Sequence, residues 1–393
     1  MTLLTRTARR WAKRTVLLAS CLVTAACVTP TLPGVSSGPR IDTSKPVTVA
    51  LLLPRGSGQA GDEVLAAALE NAARLAMADL SGIKIDLRVY ATAANPQTAA
   101  AVATQAIGEG AKIILGPVYA SSANAVGTAA AARGVNVLAF SNNTDVAGGN
   151  VFVLGNTFEN TADRLVRYAV ANGKTKIMVV NGQDSAEEKG RVAIAAAITR
   201  YGATPAGNAA FELSQNGVVQ AVGGITRSVK NNGAQAVFMT SGTAGALPIL
   251  SQLLVDNGLN SASTQFIGLQ RWDIPRSALA LPSLQGGWFA LPAPALTLQY
   301  QTRYSATYGE PPHPISGLAY DGIAAIGALV SNGQSDALSV AALTQATGFA
   351  GVNGIFRLRA DGTNERGLAI ATISEQQVKI LDPAPRSFGG AGF

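Results

Sequence analysis

Residues 47–90 read VTVALLLPRGSGQAGDEVLAAALENAARLAMADLSGIKIDLRVY, and their pattern changes twice. Val47–Leu53 is an almost unbroken aliphatic run, the mark of a strand buried on both faces. Asp62–Leu80 follows with Val64, Leu65, Ala68, Leu75 and Met77 at helical spacing, and Ile85–Tyr90 returns to a strand pattern. Strand, helix, strand in that order is a βαβ unit, whose two strands run parallel.

Working outward, the alternation continues. Helix Pro96–Ile107, strand Lys112–Leu115, helix Ser122–Ala132 and strand Val135–Phe140 complete one doubly wound lobe. A second series of the same architecture follows. It comprises helix Glu159–Ala171, strand Lys176–Val180, helix Ala186–Tyr201, a strand near Ala209–Phe211, helix Val218–Asn231, strand Ala236–Met239, helix Ala244–Asn257 and strand Gln265–Gly268. Strand Gly287–Leu291, a helix around Thr297–Tyr308, a Pro-rich bend at Pro311–Pro314 and helix Ile315–Leu329 come next. Strand patterns at Ile355–Arg359, Leu368–Ile373 and Val378–Leu381 close the chain, with a turn at Ala360-Asp361-Gly362. Two α/β lobes enclose a cleft, and open parallel sheets bind ligands beyond the carboxyl ends of their strands.

The N-terminus has a different character. Arg6, Arg9, Arg10, Lys13 and Arg14 precede an apolar run, Thr15–Ala26, that is too short to span a bilayer, which takes about 20 residues. It reads as an export signal over residues 1–26. Thr24-Ala25-Ala26-Cys27 resembles a lipobox, which makes Cys27 the expected lipidation site and a lipid anchor in the membrane the expected attachment. Leu18-Ala19-Ser20-Cys21 is the competing match, with only six residues between Arg14 and Cys21. Residues 27–45 are rich in Pro, Gly, Ser and Thr and read as a flexible tether.

Charge and residue types exclude several functions. The chain carries a net charge of +7, but five Lys/Arg and no Asp/Glu fall in residues 1–26, so the remainder stands near +2. No stripe of cations interleaved with aromatics appears, so no nucleic-acid partner is expected. Both cysteines precede the folded body, which leaves it no thiol for a disulfide, redox motif or metal site. The one histidine, His313, lies between Pro312 and Pro314. Gly34-Val35-Ser36-Ser37-Gly38 matches the nucleophile-elbow pattern, yet it sits in the tether with no strand before it. No phosphate loop and no dinucleotide fingerprint follow the first strand. No catalytic residue, metal or cofactor is therefore expected. Asp62-Glu63 and Glu187-Glu188 read as solvated charges at helix starts.

Small-molecule binding has better candidates. Gly116-Pro117-Val118-Tyr119-Ala120-Ser121-Ser122 joins a strand to a helix and places two hydroxyls and free backbone N–H groups at a helix N-terminus, which suits a carboxylate. Ser141-Asn142-Asn143-Thr144 ends the next strand on the same edge. A simple N-cap at Ser121 or Ser122 and a simple turn at Ser141–Thr144 stand as equal alternatives.

From Pro46 to Leu381 this pattern resembles the leucine/isoleucine/valine-binding proteins of the type I periplasmic-binding class. The resemblance rests on Gln59-Ala60-Gly61-Asp62, Asn95-Pro96, Leu115-Gly116-Pro117, Tyr320-Asp321 and Phe349–Gly362 in that order. It implies two lobes, 46–156 with about 287–345 and 157–286 with about 346–383, and a tail at 384–393. It places the carboxylate-binding loop on Ser121 and Ser122 and the α-amino-contacting loop on Ser141 and Thr144, with Asn142 between them. Ala91-Thr92 replaces the acidic residue common after the second strand, and no second-lobe carboxylate stands out to pair an ammonium. An unpaired buried ammonium is costly, so a free α-amino acid fits poorly. Within the class, the lipobox, Leu51-Leu52-Leu53-Pro54, Asn71-Ala72 and Leu269-Gln270-Arg271-Trp272-Asp273 resemble the lipoprotein activators of penicillin-binding proteins. That resemblance implies a bifunctional peptidoglycan synthase as partner and a periplasmic location on the outer membrane; Trp272 is a candidate anchor in a cleft-edge loop, with core packing an equal alternative, and Trp272 and Asp273 join the candidate ligand-binding residues. The alternative implication is an ABC permease partner and a small amino-acid-like ligand.

Overall fold

A computed structural model describes residues 38–389; Cys27 and the rest of the N-terminal segment lie outside them. The chain runs β1 (Val47–Leu53), α1 (Ala60–Ala78), β2 (Ile85–Ala91), α2 (Pro96–Gly108), β3 (Ile113–Leu115), α3 (Ala120–Ala131), β4 (Asn136–Ala139) and β5 (Val151–Val153). These five strands form one sheet in the order β2-β1-β3-β4-β5, parallel throughout. β1 is central, and Val49 to Leu53 are shielded from solvent on both faces. Each fully buried leucine there contributes about 2 kcal/mol of transfer free energy. Helix α2 starts where Asn95 places its side-chain oxygen 2.9 Å from the Gln97 N–H and 3.0 Å from the Thr98 N–H, with Pro96 in the first turn. Alanines line the buried faces of α2 and α3, so both helices lie close on their side of the sheet.

The chain then builds α4 (Phe158–Ala171), β6 (Lys176–Gly182), α5 (Ser185–Arg200), β7 (Thr204–Phe211), α6 (Gln215–Asn231), β8 (Ala236–Met239), α7 (Leu247–Asp256), β9 (Gln265–Gly268) and β10 (Trp288–Leu291). It returns with α8 (Pro294–Tyr308), α9 (Gly317–Ser331), α10 (Val340–Leu343) and a small antiparallel sheet of β11 (Phe349–Gly351), β12 (Gly354–Leu358) and β13 (Asn364–Arg366). It ends in β14 (Ala369–Ser374) and β15 (Gln377–Asp382). The second sheet has the order β15-β14-β10-β9-β8-β6-β7. β6 to β10 are parallel, β14 runs antiparallel to β10 and β15 antiparallel to β14, so this lobe is mixed where a purely parallel sheet was expected.

The two-lobe α/β architecture holds, and its division differs from the expected one in two places. β10 pairs with β9 and β14 in the second sheet, whereas residues 287–345 were assigned to the first lobe. Phe349, Phe356 and Leu358 pack into the core of the first lobe with α1, α8 and α9, whereas 346–383 were assigned to the second. Both cores are aliphatic, so pattern alone does not say which of them an isolated strand joins. The chain therefore passes between lobes at 154–157, 292–293 and 367–368.

Buried polar groups hold the crossings together. Asp321 is fully buried in α9 and accepts from the Val352 N–H (2.8 Å), Asn353 Nδ2 (3.1 Å) and Arg366 Nη1 (3.1 Å). Arg366 also donates from Nε to the Leu154 carbonyl at 2.8 Å, and Asn364 donates to the Val153 and Gly155 carbonyls. The first and third crossings are thus tied to each other and to α9.

Candidate functional site

The carboxyl ends of β1, β3 and β4 form the first lobe's cleft edge, and the turn after β3 is sterically demanding. Gly116 has φ +92°, and a Cβ there would stand 2.3 Å from the Leu52 carbonyl oxygen. That glycine lets the chain fold back over β1 and enter α3. The helix begins at Tyr119, which makes no side-chain capping bond; its hydroxyl donates instead to Asp62 at the start of α1. Asp62 is buried, so it is a structural acceptor and not the solvated charge expected.

Ser121 is exposed at the second position of α3. Ser122, at the third, is 1% exposed, and its Oγ has no hydrogen-bond partner among the described residues. The first backbone N–H groups of a helix have no intrahelical acceptor, and here no side chain supplies one. A buried hydroxyl without a partner beside uncapped N–H groups, at the positive end of a helix dipole, has the donors that a carboxylate oxygen would accept from.

The neighbouring loop is engaged differently. Ser141 is buried, its carbonyl accepts from the Gly155 N–H at 3.0 Å, and its Oγ accepts from the Asn143 N–H at 3.1 Å. Asn142 is exposed. Thr144 donates to Glu159 Oε1 across the lobes at 3.3 Å, and Lys189 reaches from α5 to Asp145 and to Asn143 Oδ1. This loop therefore meets the first crossing and bridges to α4 and α5 on one flank of the cleft.

On the second lobe, Glu187 overturns the expectation of a solvated helix-start charge. It is 9% exposed in the first turn of α5. Its carboxylate accepts from Thr240 Oγ1 at 2.8 Å, from Ser241 Oγ at 2.7 Å and from the Gly182 N–H. It thus links the ends of β6 and β8, with its acceptor capacity filled from within the protein. The signal lay in Asp184-Ser185-Ala186-Glu187, an N-cap followed three residues later by Glu. Asp184 does cap, accepting from the Glu187 N–H at 2.7 Å, while the Glu side chain turns inward to Gly182. Beside it, Asn181 is 2% exposed and its Oδ1 has no partner among the described residues.

Trp272 corrects an expectation. It is fully buried, stacked on Phe289 at a 6.2 Å centroid distance, in a slot left by Gly268 and Gly287. It is a core side chain of the second lobe and presents no anchor to a partner or ligand. Asp273 pairs with Arg271 at 2.9 Å and lines a groove of about 820 Å³ beside the second crossing, with Arg276, Pro292, Leu298 and Pro314. None of Ser121, Ser122 or Ser141–Thr144 lines that groove. The structure thus gathers Ser121, Ser122, Ser141, Asn142 and Thr144 on one edge and separates Trp272 and Asp273 from them. Among the described residues there is no cluster of His, Cys, Asp and Glu suited to a metal ion, and no helix long and apolar enough to cross a membrane.

Comparison with known proteins agrees with this geometry. No curated protein matches the chain. Among solved structures, a putative branched-chain amino acid ABC transporter protein from Rhodospirillum rubrum is similar with a TM-score of 0.73 at 15% identity, covering 86% of this chain and 100% of that one. A substrate-binding protein from Desulfitobacterium hafniense in complex with Leu gives 0.64 at 16%, covering 86% and 100%. A solute-binding protein from Rhodopseudomonas palustris in complex with 3,4-dihydroxybenzoic acid gives 0.57 at 16%, covering 86% and 98%. At these identities the likeness is one of fold. The family model described as periplasmic binding protein matches residues 46–377, so the chain belongs to the periplasmic binding protein family, whose members are extracytoplasmic, non-catalytic ligand binders.

Proposed function

We propose that this protein is the solute receptor of an ATP-driven importer and that its lobes close on a small carboxylic acid held by Ser121, Ser122 and the first N–H groups of α3. The carrying observation is the Ser122 Oγ, buried and unpartnered at an uncapped helix start. Leucine and 3,4-dihydroxybenzoic acid, the ligands of two similar structures, have only the carboxylate in common at their recognition ends. That is the group this helix start suits. Glu187 is saturated by its own protein, which leaves no idle second-lobe carboxylate among these groups to pair an ammonium. Acids without a free α-amino group therefore fit better than α-amino acids. The partner on this reading is an ABC permease, and the chain is held at the membrane through Cys27.

The activator reading, with a bifunctional penicillin-binding protein as partner, gave Trp272 the anchoring role. Burial of that ring removes its main surface feature, and the solute-receptor reading is the one the geometry favours.

A thermal-melt panel of aliphatic and aromatic carboxylic acids, with leucine included, tests the proposal. A ligand at 100 times its Kd stabilises by about 2.7 kcal/mol, a rise of several degrees. Ser122→Ala is expected to weaken the responding acid by roughly ten-fold, the worth of one charge-assisted hydrogen bond. A panel with no response, or a response that Ser122→Ala leaves unchanged, rejects the site.

A further inference from the structure

The amino edge of the first sheet carries a feature that solute binding does not use. Because β1 to β4 are parallel, the residues that precede them lie along one edge of the lobe, opposite the cleft. A cation stands within three residues before each of these strands: Lys45 before β1, Lys84 before β2, Lys112 before β3 and Arg133 before β4. Lys45 is neutralised by Asp42 at 3.2 Å. Lys84, Lys112 and Arg133 have no ion-pair partner among the described residues.

The acids of this edge are mostly engaged. Asp79 pairs with Arg303 at 2.6 Å, Asp86 pairs with Arg88 at 2.7 Å, and Glu109 accepts from Tyr90 at 2.6 Å. Asp336 is the exposed carboxylate that has no ion-pair partner among the described residues. The unpaired charge is therefore positive. Next to Lys84, half-buried Met77, Leu80 and Ile83 line a hollow of about 510 Å³, and apolar side chains beside lysine are the composition of an interfacial surface.

The second lobe is not devoid of cations at its corresponding edge. Lys174 precedes β6, Lys176 opens it and Lys230 lies in the last turn of α6, while Ala203, Gln235 and Thr264 precede β7, β8 and β9. What singles out the first lobe is where the chain enters it. Gly38 packs against the Leu338 carbonyl and Asn136, the first residue of β4, and the Ile41 N–H donates to the Ser335 carbonyl at 2.8 Å. The N-terminal segment thus joins the body on the basic edge. Residues 27–37 can span at most about 38 Å at ~3.5 Å per residue, so an anchor at Cys27 would lie within that reach of this edge.

We infer that the amino edge of the first lobe is a membrane-facing surface whose Lys84, Lys112 and Arg133 contact anionic lipid headgroups and turn the cleft away from the bilayer. This rests on the Cys27 anchor for its orientation but not for its charge. Cations near an anionic bilayer each raise binding by about five-fold at moderate salt, an effect that fades within a Debye length.

The test uses the chain from residue 28 onward, so that neither the five cations and apolar run of the export signal nor an acyl chain on Cys27 masks a weak electrostatic contribution. Flotation is read on vesicles of phosphatidylcholine with and without phosphatidylglycerol. Lys84→Glu, Lys112→Glu and Arg133→Glu together are expected to lower partition onto the phosphatidylglycerol vesicles by on the order of a hundred-fold. Lys174→Glu, Lys176→Glu and Lys230→Glu, an equal change of net charge, are expected to leave it within about two-fold. Circular dichroism melts of both triple variants confirm folding. Equal losses in the two variants would reduce the effect to net charge and overturn the inference, as would no loss in either. Mass spectrometry of the full-length chain checks the anchor separately: an unmodified Cys27 would refute the anchor while leaving the flotation result to stand or fall by itself.

Discussion

A missing Cβ at position 268 makes room for an indole. Were Gly268 an alanine, its methyl carbon would stand 2.1 Å from Trp272 Nε1 with the second-lobe sheet behind it. Gly268→Ala is therefore expected to destabilise by about 3 kcal/mol, the upper range for an overpacked core, seen as a lower urea midpoint with an unchanged slope. Glu187→Ala acts in the opposite sense, by subtraction. It strips acceptors from Thr240, Ser241 and the Gly182 N–H at once, and a loss of roughly 3 kcal/mol is expected from the buried donors left unpaired. Neither role could be read along the chain. Trp272 follows a strand end, which left a cleft loop and core packing both open, and the convergence of Gly268 and Gly287 on the folded ring decides for the core. Glu187 was visible as a helix-start charge, but the hydroxyls that enclose it come from Thr240 and Ser241 after β8, adjacent to β6 in the sheet yet more than 50 residues on in the chain. Ser121 and Ser122 were legible because a strand-turn-helix junction places its hydroxyls by local geometry alone.

Among the elements, those with local stop and start signals were the most legible. Asn95-Pro96 announced α2, and Asn95→Ala is expected to cost about 1 kcal/mol in a thermal melt. β5, β11 and β13, three residues long each, carry too little pattern to be distinguished from loops, and β10 and β12 gave their conformation but not their lobe. The Pro-rich bend before α9 offers a test by pH. Burial lowers the pKa of His313 below its ordinary value of about 6.5, so the unfolded chain takes up the proton first as pH falls. The neutral ring's contribution is present above pH ~6.5 and lost below it. His313→Asn keeps an acceptor near the Ile315 N–H, which approaches Nδ1 at 3.4 Å. The melting temperature of that variant is expected to fall less than the wild type's between about pH 7 and pH 5.

The molecule as a whole is held by the buried pair of Asp321 and Arg366, 0% and 4% exposed at their side chains. Asp321→Ala is expected to cost about 3–5 kcal/mol because it strands a buried guanidinium, while a paired replacement, Asp321→Leu with Arg366→Met, should regain much of that loss. Chemical denaturation of the single and double variants checks both. The three crossings carry a further consequence for how the protein is made. The first sheet is complete once residue 153 has emerged, yet one of its faces is covered by Ile323, Ile326 and Leu329 of α9 and by Phe356 of β12. A growing chain must therefore carry a bare aliphatic face through the synthesis of the entire second lobe. A chain truncated before residue 317 should therefore aggregate on release although its first sheet is whole.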